Sequence, residues 1–156
     1  MPGHRSLALA LTALSLVACR EPDVEVSDRD ANLNTRWHAS LASPGGLAGV
    51  VQMKGVATMV PAEDGGTGVS LVLENATAGG VHPWQVHRGA CGADEGVLGP
   101  ADSYAPIEVG DDGRASASAT LPLPTPTTGR YFVSVQASRA NPALVVACGN
   151  LAAPTR

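Results

Sequence analysis

From Thr35 to Leu151 the chain consists of short segments in which apolar and polar residues alternate, each closed by a cluster of turn-forming residues. RASASATL (Arg114–Leu121) alternates along almost its whole length, whereas EDGGTG (Glu63–Gly68) and GDDG (Gly110–Gly113) are typical of tight turns. A two-residue period places successive side chains on opposite faces of a strand, so that one face can be buried. The segments show no 3.6-residue helical period. The pattern predicts an all-β chain.

About eight antiparallel strands are expected, arranged as a β-sandwich or flattened barrel. The composition agrees, because 18 glycines, 12 prolines and only 3% aromatic residues suit many short strands better than a helical bundle. Trp37 and Trp84 are expected to fill the core, and Gly55 to mark a β-bulge. The predicted strands are Thr35–Leu41, Gly49–Val60, Val69–Ala76, Val81–Arg88, Ala105–Val109, Arg114–Leu121, Arg130–Ser138 and Ala143–Leu151.

The first 18 residues have the pattern of a secretory signal peptide, with Arg5 ahead of an apolar run that ends at Cys19. LVAC (Leu16–Cys19) resembles the bacterial lipobox, in which the cysteine becomes lipidated and begins the mature protein. The alternative is an ordinary signal peptide followed by a free or disulfide-bonded Cys19. We expect the chain to be exported and attached to the membrane through lipid on Cys19. Arg20, where an inner-membrane retention signal would have aspartate, favours the outer membrane or the cell surface.

Residues 19–34 are predicted to be an acidic, flexible tether, because five acidic residues lie between Glu21 and Asp30 with almost no apolar pattern. The alternative is a solvated first strand through Val24 and Val26. The domain is then residues 35–151, with a short tail at 152–156. A net charge of −4 and a single lysine, Lys54, provide no basic face, so nucleic acid is not expected as a partner.

The three cysteines form an even set once Cys19 is assigned to lipid. Cys91 and Cys148 remain, and an exported protein lies in an oxidising compartment, which favours a disulfide between them. The alternative is a pair of buried free thiols.

Three segments together resemble the copper/zinc superoxide dismutase family. WQVHRGAC (Trp84–Cys91) is similar to the family's His-x-His strand with its first disulfide cysteine, and VGDDG (Val109–Gly113) to its Val-Gly-Asp-x-Gly motif. VVACGNL (Val145–Leu151) is similar to the terminal strand that holds the second cysteine. YFVSVQAS (Tyr131–Ser138) also resembles the chordin-type domain. The resemblance covers about residues 35–151 and implies an eight-stranded Greek-key β-sandwich.

The resemblance also implies which residues occupy the family's metal-ligand positions. Imidazole copper ligands fall on Gln85, His87, Ala101 and Gln136, so only His87 is retained. Zinc ligands fall on Glu108 and Asp111, and the superoxide-guiding arginine on Val145. An amide oxygen is a poor donor to a copper ion that must change oxidation state, so efficient dismutation is not expected. The retained disulfide and turn positions instead indicate a non-catalytic binding or structural module of the cell envelope.

A second hypothesis is a copper- or zinc-binding protein with residual superoxide dismutase or copper-handling activity. Its weak candidate ligands are His87, His82 and Asp111, with His38 as a further imidazole. The alternative is that His82 and His87 are polar residues at strand edges, hydrogen-bonded to loop carbonyls. We expect no firmly bound cofactor, with copper or zinc as the exception under the second hypothesis. A third hypothesis is a subunit of a surface assembly that pairs through an exposed strand.

Overall fold

The computed structural model describes residues 35–47, 49–50 and 52–154 of the 156-residue chain. The predicted signal peptide, the lipidation site Cys19 and the predicted tether therefore lie outside the described residues, as do the last two residues of the predicted tail. Among the described residues, no helix is long and apolar enough to cross a membrane.

The described chain is all-β, as predicted. Eight strands form one antiparallel sheet curled into a half-barrel, in the order β6-β5-β9-β10-β1-β2-β3-β8, and β4 pairs with β7 in a small second sheet. The strands are β1 (Trp37–Ala42), β2 (Lys54–Pro61), β3 (Thr67–Glu74), β4 (Val81–His82), β5 (Trp84–Ala90), β6 (Ala93–Val97), β7 (Ile107–Glu108), β8 (Ala115–Leu121), β9 (Tyr131–Ser138) and β10 (Asn141–Leu151).

Two pairings between strands distant in sequence give the sheet its Greek-key character. β8 returns to pair with β3, and β9 returns to pair with β5, so the connections cross over neighbouring strands. β6 and β8 are the two edges of the half-barrel. At the chain's end, Ala152 still pairs with His38 on β1.

Alternation of the side chains builds the core from one face of the sheet. β1 and β3 alternate buried and more exposed residues, and β8 places Ala119 and Leu121 inward with serines and threonine outward. Trp37 and Trp84 are each 1% exposed, which confirms them as core residues. Their ring N–H groups are also paired, donating to the carbonyls of Pro126 and Ala105 at 2.8 Å.

Three segments differ from the predicted strands. β6 (Ala93–Val97) lies where no strand was predicted, and it forms one edge of the half-barrel. β2 begins at Lys54, and Gly55 pairs in regular register with both neighbouring strands, so the predicted bulge is wrong. The glycine is needed for close approach, because a Cβ there would lie 2.5 Å from the backbone carbonyl oxygen of Val72 on β3. The segment 81–88 divides at Pro83 into strands of different sheets, since proline has no N–H to donate to a ladder.

The predicted disulfide between Cys91 and Cys148 is confirmed, with their Cα atoms 6.1 Å apart. It fastens the turn after β5 to β10, two strands away across β9. The Cys91 N–H also donates to the Asn150 side-chain oxygen at 2.8 Å, so a second contact holds the same turn against β10.

Removing this disulfide should destabilise the domain strongly. The bridge spans a sequence separation of 57 residues, and loss of such a loop constraint costs about 4 kcal/mol in the chain-entropy model. We expect the variant Cys91→Ser/Cys148→Ser to unfold at a much lower urea concentration than the wild type. Cys19→Ser, which keeps the bridge, is the matched control. Equal urea midpoints for all three proteins would contradict a stabilising role.

Candidate ligand-binding cleft

A cleft of about 1070 Å³ lies on the face of β5, β9 and β10 that points away from the core. Strand residues form its floor, and three loops close its sides: the one after β1, the one around the 3-10 turn Ala101–Ser103, and the hairpin between β9 and β10. The lining residues that carry polar side chains are Ser43, Gln85, His87, Asp94, Tyr104, Ser134, Gln136 and Arg139.

Strand register sets the order of the polar side chains along the floor. Gln85 lies opposite Ser134, and His87 opposite Phe132, on the paired strands β5 and β9. Gln136 is four residues beyond Phe132, which separates the rows of His87 and Gln136 by about 13 Å at 3.3 Å per residue. The floor therefore presents Gln136, then Gln85 with Ser134, then His87.

The imidazole of His87 is held in place from two sides. Its Nδ1 lies 3.0 Å from Asp94 Oδ1, and its ring stacks on Phe132 with centroids 5.0 Å apart. The N–H of Gly96 donates to Asp94 and, with a smaller contribution from His87, lowers the pKa of that carboxyl group despite its slight burial. An ionised Asp94 only accepts, so Nδ1 of His87 donates, and in that tautomer of the imidazole Nε2 is the acceptor.

Gln136 is fixed by its neighbours while one of its side-chain atoms remains free. Its Nε2 donates to Ser134 Oγ at 2.8 Å, and its backbone N–H donates to the carbonyl of Pro83. Among the described residues, neither Gln136 Oε1 nor His87 Nε2 has a hydrogen-bond partner, although both residues are 7% exposed. We refer to these two atoms, His87 Nε2 and Gln136 Oε1, as the open acceptors.

Tyr104 forms part of the apolar wall and was not identified from the sequence. Its ring packs edge-on against Trp84 with centroids 5.2 Å apart, and its hydroxyl donates to the Leu98 carbonyl at 2.7 Å. Burial raises the pKa of Tyr104 to about 12, so the hydroxyl stays neutral and occupied in this internal bond at physiological pH. Tyr104 therefore supplies shape to the cleft and no free acid or base.

The structure brings seven of the sequence-predicted positions to this cleft. Five are positions that the resemblance assigns to metal ligands or to the superoxide-guiding arginine, and two are the disulfide cysteines: Gln85, His87, Ala101, Gln136, Val145, Cys91 and Cys148. His82 is on β4, where its Nδ1 lies 3.0 Å from the carbonyl of Gln136, while Glu108 on β7 and Asp111 in the following turn are exposed outside the lining.

The imidazoles do not converge on one point. His38 is on β1, three strand positions from β5, which is about 14 Å at the usual strand spacing. Within the described residues, no group of three or more His, Cys, Asp or Glu side chains is placed to hold a metal ion.

Asp94, like Tyr104 and Arg139, lines the cleft and was missed by sequence reasoning. Asp94 is on β6, which follows the turn after β5 and pairs with that strand. The pairing is not regular, because the register between β5 and β6 shifts between His87 and Gly89. Gly89 makes this shift feasible with a φ of 98°, and an added Cβ would contact the carbonyl oxygen of Ala93. Gly89, in the segment HRGACG (His87–Gly92), was the available sequence signal for an irregular hairpin. That hairpin brings the Asp94 carboxylate beside His87.

The cleft is equipped to receive hydrogen bonds. A buried acceptor without a partner costs about 1–3 kcal/mol relative to a bonded one. Two such acceptors, on side chains that line one cleft, favour a ligand with donor groups, because a donor that reaches these shielded atoms restores both bonds. Gln85, which is partly exposed, adds an amide that both donates and accepts.

The lowered pKa of Asp94 predicts how its bonds respond to acid. Because the folded-state pKa lies below the unfolded value of about 4, ionised Asp94 stabilises the fold above that pH. The contribution is lost as pH falls through the folded-state pKa. Between pH 6 and pH 2.5, the wild type should lose more stability than Asp94→Asn, measured by urea unfolding at each pH. Parallel pH curves for the two proteins would show that the ionised carboxylate contributes nothing.

Comparison with known proteins assigns no family to the chain. No family model matches it, and no curated protein sequence matches it.

Proposed function

We propose that this protein is a lipid-anchored binding module of the bacterial cell envelope that binds a ligand in the cleft and catalyses no reaction. The observation that carries the proposal is the pair of open acceptors, both buried, in a cleft of about 1070 Å³. Cavities of this size with apolar walls and a few fixed polar groups are the usual form of small-ligand sites. Export and anchoring are proposed from the signal-like N-terminus and the LVAC motif.

The resemblance to copper/zinc superoxide dismutases supports the same interpretation. The Greek-key half-barrel and the Cys91–Cys148 bridge are features that the resemblance implies. Two positions that the resemblance assigns to imidazole ligands, Gln85 and Gln136, carry amides in the same cleft as His87. Amide groups bind donors and acceptors of organic ligands well and copper poorly. The site is thus better suited to an organic ligand than to redox chemistry.

A copper- or zinc-binding protein is the second candidate, and one observation favours it. His87 offers a free Nε2 while its Nδ1 is bonded to a carboxylate, an arrangement common for metal-ligating histidines. Gln136 is on the same floor, and strand register separates its row from that of His87 by about 13 Å, so a metal at His87 would draw its remaining ligands from solvent or a bound molecule.

A ligand screen tests the leading proposal. We expect at least one class among free amino acids, short peptides, mono- and disaccharides and nucleosides to raise the Tm of the mature chain. At one hundred times Kd, binding stabilises by about 2.7 kcal/mol, which is a Tm rise of roughly 10 °C. Val145→Trp, which fills the floor opposite Gln136, should abolish the rise. If no ligand of the panel raises the Tm of the wild type, the proposal is contradicted.

Calorimetric titration with Cu²⁺ and Zn²⁺ separates the two candidates. The wild type is expected to bind neither ion tightly, while Gln85→His/Gln136→His should gain at least tenfold affinity for copper by restoring two imidazoles to the floor. Sub-micromolar copper binding by the wild type that is lost in His87→Ala would replace the leading proposal with the metal-binding one.

Lipid attachment has a direct readout. Cells grown with labelled palmitate should incorporate the label into the wild-type protein and not into Cys19→Ser, because the thiol is the acceptor of the lipid. Cys91→Ser is the matched control and should still be labelled, since its thiol belongs to the domain. Absence of label from the wild type, or label in Cys19→Ser, would disprove lipidation at this residue.

A further inference from the structure

We infer that the cleft binds a short extended peptide with free termini, its ammonium group at Asp94 and His87 and its carboxylate at Arg139. This inference rests on the proposed binding function and names its ligand class. It comes from the order of the charges and amides along the floor.

The two charged side chains of the lining lie at opposite ends of the cleft. Asp94 pairs with Gly89, beyond His87 on the side away from Gln85. Arg139 directly follows β9, beyond Gln136 at the other end. The full order is Asp94, His87, Gln85 with Ser134, Gln136, Arg139. An anionic end, an amide-lined middle and a cationic end match a zwitterionic chain.

The Asp94 end is suited to an ammonium group. An ammonium carries three donors, and this end offers the carboxylate of Asp94, which is about half exposed, and the open acceptor Nε2 of His87, which is shielded from solvent. Charge-assisted bonds of this kind are roughly twice as strong as neutral ones. A ligand carboxylate at this end would face Asp94 and be repelled, which fixes the direction of the peptide.

The Arg139 end is suited to a carboxylate. The side chain is exposed, and it takes part in no salt bridge among the described residues. A guanidinium binds a carboxylate through two parallel hydrogen bonds, which a neutral hydroxyl group cannot match. A cationic chain such as a polyamine would be repelled here, and an uncharged sugar would leave both end charges unused.

The middle of the floor fits a peptide backbone. Gln85 and Gln136 follow at two-residue steps of the strands, about 6.6 Å apart, and peptide groups on one side of an extended chain repeat at the same interval. Gln136 Oε1 accepts a backbone N–H, and the Gln85 amide serves either backbone group. Phe132, which lies opposite His87, and Arg139 are seven residues apart along the chain, about 23 Å at 3.3 Å per residue, which corresponds to about seven extended residues of a ligand.

The experiment is a calorimetric titration of the mature chain with hepta-alanine in three forms: free, N-acetylated and C-amidated. We expect the free peptide to bind, and each blocked form to bind at least tenfold more weakly. Arg139→Gln should weaken the free peptide at least tenfold while leaving the C-amidated form unchanged. Asp94→Asn should likewise weaken the free peptide at least tenfold, while leaving the affinity for the N-acetylated form unchanged. Arg130→Gln, an exposed arginine outside the lining, is the matched control and should bind like the wild type.

Three results would overturn the inference. The first is binding that is insensitive to blocked termini, and the second is peptide binding that survives Val145→Trp, which would place the peptide elsewhere. The third is absence of peptide binding together with a ligand of another class that raises the Tm of the wild type and not of Val145→Trp. In that case the proposed binding function stands, but its ligand is not a peptide. If no class raises Tm, the proposed function fails as well. Circular dichroism of each variant confirms that losses are not due to unfolding.

Discussion

The pairing of β5 with β9 is the interaction on which the rest of the structure depends. It joins segments distant in sequence, and it completes the Greek-key sheet while placing Gln85 and His87 beside Ser134 and Gln136. Such a non-local pairing carries a large loop-closure entropy. The Cys91–Cys148 bridge constrains the same region by tying the end of β5 to β10, the other neighbour of β9. The fold and the cleft are therefore stabilised by the same contacts.

The fold was largely predictable because period-two alternation and turn residues act locally. In β8, alanines and leucine face the core while serines and threonine face solvent, as their spacing alone requires. The failures came where a backbone from another part of the chain intervenes. Gly55 fits a regular strand only because β3 passes too close for a side chain. The division at Pro83 depends on β7, a partner that a local pattern does not reveal.

The site was predictable along strands and unpredictable across irregular hairpins. Alternation places Gln85 and His87 on one face, and the matching face of β9 carries Gln136, so the floor follows from strand logic. Asp94 reaches His87 only through the register shift at Gly89, and Tyr104 reaches the wall through a loop without periodicity. His82 shows the reverse effect: five residues from His87 in sequence, it bonds to the Gln136 backbone from a different sheet.

The amides of the floor are available to a ligand because the sheet does not use them to hold itself together. Backbone ladders join β5, β9 and β10, and the disulfide adds a covalent tie. The Gln136 side chain bonds to Ser134 on its own strand, so this bond links no two strands and leaves Oε1 open. His87 is likewise oriented by Asp94 with Nε2 left over. Each group is fixed on one side and free on the other, so little side-chain entropy remains to be lost when a donor arrives.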